Sequence, residues 1–268
     1  MSIYLGQLGR MVELKCPASQ RSTSEDRYTF TTTIEGRRKA QARPTSRRVW
    51  DLQTSDAATP EQVAAIMAFV QGAWGPGPFI FVSAEAQYTN MLVPSASLCA
   101  PEDQWQTDVV MAGPVMLPDG RMVPSAYASA APTTYLFGRG IYPVPPTGGP
   151  VTASVVVQGD TARARLNWYD AQKAYLGSTT STTAGTAGGL TVSRVTGIPP
   201  AGAVGVGVGA FTALLCTAPT LVWGDSPAPW TTGRGCLEAV PHAPSSDLVL
   251  TGPGRTYSNL SFTVTELG

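Results

Sequence analysis

Short β-strands separated by glycine and proline turns are the feature that most restricts what this sequence can fold into. From Pro94 to the C-terminus they follow one another at fairly even spacing, and no helical pattern interrupts them. Regularly spaced strands of this kind predict a jelly-roll β-sandwich, for which about 170 residues are a suitable length. The predicted strands are 151–157, 163–168, 190–195, 203–210, 221–223, 247–250 and 261–265.

One helix is predicted, and it precedes this region. Thr59 provides an N-cap, Pro60 occupies the first helical position, and Gln62 completes a capping box. Apolar residues then recur at the spacing of a single helix face, which needs a hydrophobic core to pack against. That face consists of Val63, Ile66, Met67, Phe69 and Val70.

The residues around this helix have β-strand patterns. Segment 28–34 is rich in threonine and aromatic residues and ends before the turn residue Gly36, while 49–52 and 79–82 flank the helix. The chain is therefore predicted to be mostly β and to have two domains. Residues 1–95 form a β domain with one α-helix, and residues 96–268 form the jelly-roll β-sandwich.

Charged residues are few and unevenly distributed. They make up 13% of the chain, against roughly 25% in an average soluble domain, and a low charge content is typical of subunits in permanent assemblies. Residues 1–50 hold ten Lys/Arg and four Asp/Glu, a balance of +6, and residues 51–268 hold eight and fourteen, a balance of −6. A solvated face, a contact between unlike subunit surfaces, and contact with a nucleic acid or acidic peptide all fit this asymmetry. The zero net charge argues against non-specific nucleic-acid binding.

The cysteines and the longest apolar run indicate neither a metal framework nor a membrane span. Cys16, Cys99, Cys216 and Cys236 lack C-x-x-C spacing and are interpreted as buried thiols, with Cys216 and Cys236 as the one pair to examine for a disulfide. The apolar run 203–216 contains glycines and, at about fourteen residues, is shorter than the roughly 20 that cross a bilayer. The N-terminus lacks the apolar core of a signal peptide. We therefore expect a protein that is made in the cytosol and makes no membrane contact.

The residue types needed for catalysis are scarce. The single histidine, His242, lies between two prolines and is interpreted as a loop residue. The sequence contains no G-x-S-x-G nucleophile elbow, zinc-ligand set or phosphate-binding glycine motif. We expect no catalytic residue, no metal and no cofactor. A glycosidase needs only two carboxylates, so that class stays open. The acidic candidates adjoin turn residues, where carboxylates commonly bond to the turn backbone: Asp160, Asp170, Asp225 and Glu238.

Strand 163–168 offers a polar face for carbohydrate recognition. Arg163, Arg165 and Asn167 alternate with apolar residues that include Trp168. The apolar set is expected to face the core, so Trp168 packs inside. The arginine and asparagine side chains have the hydrogen-bond donors that sugar hydroxyls accept. A solvated face without a ligand is the alternative interpretation.

Two further features point to a surface that another group approaches closely. In strand 203–210 valines alternate with glycines, and glycine within a strand often marks close approach by another backbone or by a ligand. Packing by a neighbouring loop or sheet is the simpler interpretation.

Trp223 and Trp230 lie near glycine and proline turns and are the aromatic residues that we expect to be exposed. An exposed indole ring stacks well on the apolar face of a sugar.

Several segments resemble a known family. Residues 48–92 contain Arg-Val-Trp-Asp-Leu, the capped helix ending in Phe-Val-Gln-Gly-Ala-Trp, then Gly-Pro-Gly-Pro-Phe-Ile-Phe-Val and Thr-Asn-Met-Leu. This pattern resembles the N-terminal, tail-tube-like domain of distal tail proteins and related minor tail proteins of long-tailed (siphovirus-type) bacteriophages, particularly those of actinobacterial hosts. Later segments resemble the carbohydrate-binding-module-like jelly rolls appended to such proteins. They are Gly-Pro-Val-Thr-Ala-Ser-Val-Val-Val, Ala-Arg-Leu-Asn-Trp-Tyr-Asp-Ala, Pro-Pro-Ala-Gly-Ala-Val and the ending Phe-Thr-Val-Thr-Glu-Leu-Gly.

The resemblance implies a structural component of the virion at the distal end of a phage tail. Residues 1–95 would form a ring, usually a homohexamer, that joins the tail tube to the tail tip or baseplate. Its implied partners are other copies of the chain, the tail tube protein, the tape-measure protein and tail hub proteins. Residues 96–268 would face outward towards a host cell-wall glycan. A lectin-like module or adhesin without a ring, and a polysaccharide-cleaving enzyme, are the alternative functions. We expect any glycan contact to use Arg163, Arg165, Asn167, Trp223 and Trp230.

Overall fold

The computed structural model describes residues 2–15, 17–24, 28–42, 47–54, 58–100, 109–138, 140–186, 188–252 and 255–267. Within these ranges the protein is mostly β, as predicted, with nineteen strands and three helices. In chain order the elements are β1 (Ser2–Gln7), β2 (Arg10–Lys15), β3 (Pro17–Ser24), β4 (Tyr28–Thr32), β5 (Arg38–Ala42), β6 (Arg48–Thr54), α1 (Pro60–Val70), β7 (Phe79–Val82), α2 (Ala84–Tyr88), α3 (Pro94–Ser97), β8 (Val110–Ala112), β9 (Val115–Met116), β10 (Met122–Val123), β11 (Ala126–Leu136), β12 (Tyr142–Pro143), β13 (Val151–Gln158), β14 (Arg163–Tyr169), β15 (Tyr175–Thr180), β16 (Thr191–Gly197), β17 (Gly205–Trp223), β18 (Cys236–Gly252) and β19 (Arg255–Glu266).

The chain forms two compact units. Unit 1 comprises Met1–Gly6, Val12–Phe81 and Glu238–Gly268, and unit 2 comprises Gln7–Met11 and Val82–Leu237. This division differs from the expected boundary between residues 95 and 96. The C-terminal residues, expected in the jelly roll, belong to unit 1 because β19 pairs with β6 near the other end of the chain. Nearly all of unit 2 is therefore an insertion between β7 and β18.

Unit 1 has a sheet in the order β2-β1-β7-β18-β19-β6-β3 and a separate two-stranded sheet, β4–β5. Val264 of β19 lies opposite Trp50 of β6, and both side chains are buried. At the end of the same strand pair, the Arg48 guanidinium donates to the Glu266 carboxylate at 2.6 and 2.8 Å. The predicted strands 247–250 and 261–265 are parts of β18 and β19.

Helix α1 begins as predicted. Thr59 Oγ1 accepts a hydrogen bond from the Gln62 amide, and Gln62 Oε1 accepts one from the Thr59 amide at 3.0 Å, which confirms the capping box. Ile66 and Phe69 are buried, whereas Val70 is 39% exposed. The buried face is therefore narrower than the apolar stripe, because Val70 ends the helix and points away from the core.

His242 lies in β18, so its interpretation as a loop residue is wrong. The strand contains Pro241 and Pro244, and its register with β19 shifts between His242 and Ser245. Proline is tolerated within a sheet at such irregular positions because no regular ladder bond is lost there. The His242 ring is exposed, and its Nε2 lies 2.8 Å from Thr265 Oγ1.

Unit 2 is an antiparallel β structure organised around one long strand. β17 spans 19 residues and pairs with β11, β12, β13 and β14. The predicted strands 203–210 and 221–223 are the two ends of this strand. β14 pairs with β15 on its other side and packs across β13 and β16 without pairing with either, so the strands form two layers.

The burial of β14 follows the predicted alternation on one side. Ala164, Leu166 and Trp168 are buried and face the layer formed by β13 and β16, which confirms that Trp168 is a packing residue. The Trp168 indole N–H donates to Thr179 Oγ1 at 3.0 Å. β13 extends this core, because its residues from Val151 to Val157 are buried on both faces of the strand.

The short helices α2 and α3 belong to unit 2 and were not predicted. They have five and four residues, which is too short for a helical period to emerge from the sequence. Ser83 caps α2 through a bond from the Ala86 amide to its Oγ at 3.1 Å. No helix among the described residues is long and apolar enough to cross a membrane.

Cys99, Cys216 and Cys236 are buried thiols, as interpreted from the sequence, and the pair Cys216–Cys236 is not a disulfide. Burial raises the pKa of the Cys216 thiol well above its ordinary value, and the neighbouring Cys99 raises that pKa further. Cys16 lies outside the described residues.

Candidate functional site

Unit 2 carries a groove on the face of β13 and β16 that points away from β14. In the register of these strands Ser154 lies opposite Arg194, and Val156 lies opposite Val192. These side chains form the floor, together with Ala218 of β17. The groove, of about 390 Å³, is named here the Trp230 groove, and its walls are formed by Leu117, Pro118, Asp119, Arg121, Pro227, Ala228, Pro229 and Trp230.

One wall is the tight turn between β9 and β10. Leu117 and Arg121 are joined by a backbone hydrogen bond of 2.7 Å, and Gly120 has a φ of +84°, in the region that favours glycine. The sequence Pro118-Asp119-Gly120 supplies suitable residues for this turn. Asp119 Oδ1 also accepts a hydrogen bond from the Arg121 amide at 3.1 Å, so the turn holds its own carboxylate in place.

The Arg121 guanidinium connects the two walls. Its Nε and Nη2 donate to Asp119 Oδ2 at 2.8 and 2.6 Å, and its Nη1 donates to the carbonyl oxygen of Trp230 at 2.7 Å. These bonds hold the pKa of Asp119 below its ordinary value, so the carboxylate stays ionised at neutral pH. The guanidinium carbon lies 6.0 Å from the centroid of the Trp230 ring.

Trp230 is fixed from the opposite side as well. Its indole N–H donates to the Ser97 carbonyl oxygen at 3.2 Å, and Ser97 Oγ accepts a hydrogen bond from the Gly233 amide at 2.7 Å. The half-buried ring packs against a buried apolar cluster of Leu117, Val123, Val156 and Ala218. The groove is therefore lined by groups whose positions are set before any ligand arrives.

Arg194 provides the charge of the groove floor. Its side chain is exposed, and it forms no ion pair with any residue that the structure describes. Val192, two positions earlier on the same face of β16, is 38% exposed. The floor therefore presents a cation next to an apolar surface.

The polar face predicted on β14 lies in the other layer of unit 2. Arg163 and Arg165 point outward as expected, but Asn167 is only 4% exposed. Asn167 is buried beside the glycines of β17, close to the paired strand β11: a Cβ at Gly209 would lie 2.6 Å from the carbonyl oxygen of Tyr135 in β11 and 3.6 Å from Asn167 Nδ2.

Arg165 is held by neighbouring aromatic residues. Its guanidinium carbon lies 5.6 Å from the centroid of the Phe211 ring, and its Nη2 donates to Tyr175 Oη at 2.8 Å. The Tyr175 hydroxyl also bonds to Ser178, and these two interactions, that with Ser178 being the larger, lower the pKa of Tyr175. Phe211 and Tyr175 are 40% and 54% exposed. This surface thus consists of aromatic rings around a guanidinium that already has partners.

The glycines of β17 are explained by close packing within unit 2. A Cβ at Gly205 would overlap Ile141, and one at Gly209 would overlap the Tyr135 backbone. This confirms the interpretation that a neighbouring segment packs against the bare side of the strand. A second cavity, of about 350 Å³, lies next to Gly207 and is lined mainly by apolar side chains that include Ile141 and Tyr169.

The five residues predicted to contact a glycan are therefore distributed over three places in unit 2. Arg163, Arg165 and Asn167 share β14, and Trp230 lines the groove on the other layer. Trp223 lies elsewhere, at the end of β17, where it is half-buried and its indole N–H donates to the Pro143 carbonyl oxygen at 3.0 Å.

Sequence reasoning did not identify three charged residues of the groove. Asp119 and Arg121 belong to a Pro-Asp-Gly-Arg turn, a signal that was present in the sequence, and Arg194 is one of the outward residues of β16.

Among the predicted turn carboxylates, Asp170 does bond to the backbone, since its Oδ1 accepts from the amides of Gln172 and Ala174 at 2.9 and 2.8 Å. The described residues contain no cluster of three or more side chains suited to hold a metal ion.

A second surface of interest is the β4–β5 hairpin of unit 1. Its strands pair with each other from Tyr28↔Ala42 to Thr32↔Arg38, and neither pairs with another described strand. Ile34 in its turn is fully exposed, and Phe30 is 59% exposed, with the Arg38 guanidinium carbon 5.4 Å from its ring centroid. An apolar tip beside cations is thus displayed on an isolated hairpin.

Comparison of the sequence with models of protein families and with curated proteins found no match.

Proposed function

We propose that this chain is a structural subunit of the tail tip of a long-tailed bacteriophage, a distal tail protein or a related minor tail protein. In this role unit 1 forms a ring with other copies of the chain, and unit 2 contacts the host surface. The sequence resemblance over residues 48–92 supports the family, and the β4–β5 hairpin is the structural observation that carries the ring.

The hairpin has the properties of an assembly contact. Burying a large apolar side chain contributes about 1.5–3 kcal/mol. Within one chain the fully exposed Ile34 obtains none of this stabilisation, and Phe30, 59% exposed, obtains only part of it. In a head-to-tail ring each subunit inserts one surface into a different surface of its neighbour. The apolar tip lies beside three cations, Arg37, Arg38 and Lys39. In the ring these cations contact the acidic surface of the neighbouring subunit, since residues 51–268 have a net charge of −6.

The connectivity of unit 2 fits an outward role. Its insertion points follow β7 and precede β18, and these two strands are neighbours in the sheet of unit 1. The sheet is therefore complete without the inserted residues, and the insertion can carry a binding function without contributing a strand to the ring-forming sheet. The tail tube, tape-measure and hub proteins are the partners proposed for unit 1.

Oligomeric mass tests the ring. The full chain of 28.0 kDa is expected to form a closed oligomer, six copies in the proposed arrangement, in native mass spectrometry and light scattering. Ile34→Asp is expected to yield folded monomers, with the circular dichroism spectrum of the wild type. The matched control is Ile198→Asp, since Ile198 is 72% exposed on unit 2. A wild-type chain that stays monomeric at tens of micromolar, or an Ile34→Asp oligomer, contradicts the proposal.

A free-standing lectin-like module is the second candidate function, and the Trp230 groove is the observation that favours it. The same mass measurement separates the two, because a lectin acting alone stays small. We do not propose a polysaccharide-cleaving enzyme. Glycosidases commonly use two carboxylates that flank the scissile bond, and Asp119 is the one carboxylate among the residues lining the groove.

A further inference from the structure

We propose that the Trp230 groove binds an acidic saccharide, that is, a sugar that carries a carboxylate or phosphate group. The inference rests on the proposed role of unit 2 in host contact and names the class of ligand for it.

The groove has the size and rigidity of a binding site. Its volume of about 390 Å³ falls within the range of roughly 300–1,000 Å³ that is usual for ligand sites. The Arg121 guanidinium bonds to Asp119 on one wall and to the Trp230 carbonyl on the other. Because the walls are connected before binding, little conformational entropy is lost when a ligand enters.

The charges of the groove select an anion. Arg121 uses its donors on the Asp119 carboxylate and on the Trp230 carbonyl, so these two charges compensate each other. Arg194 is then the cation left over, with no ion pair among the described residues. An exposed guanidinium binds carboxylate or phosphate oxygens through charge-assisted hydrogen bonds, which are stronger than bonds to neutral hydroxyls. The groove therefore favours a ligand with a negative group above Arg194.

The apolar part of the floor suits a sugar ring next to that group. Residues two apart on one face of a strand are separated by about 6.6 Å, so the partly exposed Val192 lies about one pyranose ring away from Arg194. A ring placed with its C–H face on Val192 and beside Trp230 brings a carboxylate or phosphate substituent to the guanidinium. The free lone pairs of Asp119 can accept hydrogen bonds from ring hydroxyls.

The same features disfavour other anionic ligands. Nucleic-acid binding depends on several cations that track a row of phosphates, and this groove has one uncompensated cation. An acidic peptide would need donors and acceptors for its backbone. Within the groove floor β13 offers none, since it already pairs on both edges with β16 and β17.

The test is calorimetric titration of the full chain at low salt with three probes: an oligogalacturonate, glucose 6-phosphate and a neutral maltooligosaccharide. At least one acidic probe is expected to bind about tenfold more tightly than the neutral one, as one charge-assisted bond implies. Arg194→Ala is expected to remove this preference. Arg194→Lys is expected to retain part of it, because the charge remains while the planar two-donor geometry is lost.

The matched control is Arg21→Ala, which removes the same charge from an exposed arginine on β3 of unit 1. It is expected to leave the affinity unchanged, and all three variants are expected to melt at the wild-type temperature. Equal affinity for acidic and neutral probes, equal loss in Arg21→Ala and Arg194→Ala, or no binding of either acidic probe at millimolar concentration overturns the inference.

The oligomeric mass of the same samples separates this inference from the proposed function. A ring that binds neither acidic probe overturns the inference alone. A monomer that binds an acidic probe through Arg194 supports the inference and contradicts the ring.

Discussion

Arg121 and Trp230 are joined by a hydrogen bond of 2.7 Å from a guanidinium nitrogen to a main-chain carbonyl oxygen, although they lie 109 positions apart in the sequence. The bond ties the β9–β10 turn to the proline-rich segment 227–230, two pieces of chain with little regular structure of their own. A single hydrogen bond from an exposed guanidinium contributes little to the free energy of unfolding of the whole protein. Its main effect is to fix the positions of these two segments relative to each other.

The first prediction follows from that bond. Arg121→Ala is expected to cost about 1 kcal/mol of stability and to loosen both walls of the groove. The measurement is hydrogen–deuterium exchange of peptides covering 109–123 and 227–237, where faster exchange is expected in the variant. Arg163→Ala serves as the control. Unchanged exchange in the first peptide shows that the bond does not order the turn.

A second prediction concerns the start of α1. Thr59→Ala removes the acceptor for the Gln62 amide and is expected to lower the free energy of unfolding by about 1 kcal/mol. Thr59→Ser keeps the hydroxyl and is expected to lie close to the wild type. Urea unfolding followed by circular dichroism measures both. Equal loss in the two variants indicates that the methyl group of Thr59, not its hydroxyl, matters.

A third prediction tests the bare side of β17. Gly209→Ala places a methyl group against the Tyr135 carbonyl oxygen and is expected to destabilise unit 2 by about 1–3 kcal/mol, as overpacking usually does. Gly113→Ala meets no atom within 4 Å and is the control. The comparison is made by thermal unfolding. A stable Gly209→Ala variant means that the end of β11 around Tyr135 can move away from β17.

The fourth prediction concerns the buried thiol of Cys216. Burial and the adjacent Cys99 both raise its pKa, so the reactive thiolate is scarce in the folded protein at pH 8. Labelling by iodoacetamide is expected to be negligible until the protein unfolds. The linkage has a definite sign: stability is retained below the ordinary thiol pKa and falls as the pH rises above it, since the unfolded chain ionises first. Rapid labelling at pH 8 contradicts the burial of this residue.

Features that depend on neighbouring residues were predictable from the sequence. The Thr59–Gln62 capping box needs only four consecutive positions, and the inward placement of Trp168 follows from the alternation of β14. The mostly β character of the chain follows in the same way. Each of these is decided by local geometry and by the polarity of adjacent side chains.

Features that depend on distant pairing were not predictable. The C-terminal strands belong to unit 1 because β19 pairs with β6, with Val264 opposite Trp50. The alternation of polar and apolar residues along β19 would be the same with any other partner strand, so it does not identify β6. Asn167 looks like a surface residue by its polarity, yet it is buried beside the glycines of β17. The Trp230 groove likewise combines residues from five separate parts of the chain.

The adjacency of β7 and β18 has a consequence for how such a protein changes over time. Both ends of the insertion emerge from neighbouring strands of one sheet, so one exchange of coding sequence between residues 82 and 237 can replace nearly all of unit 2 at once. The flanking strands keep their partners in such a swap. Recombination can thus alter what the molecule recognises in a single event, whereas point mutation would have to rebuild the groove one side chain at a time.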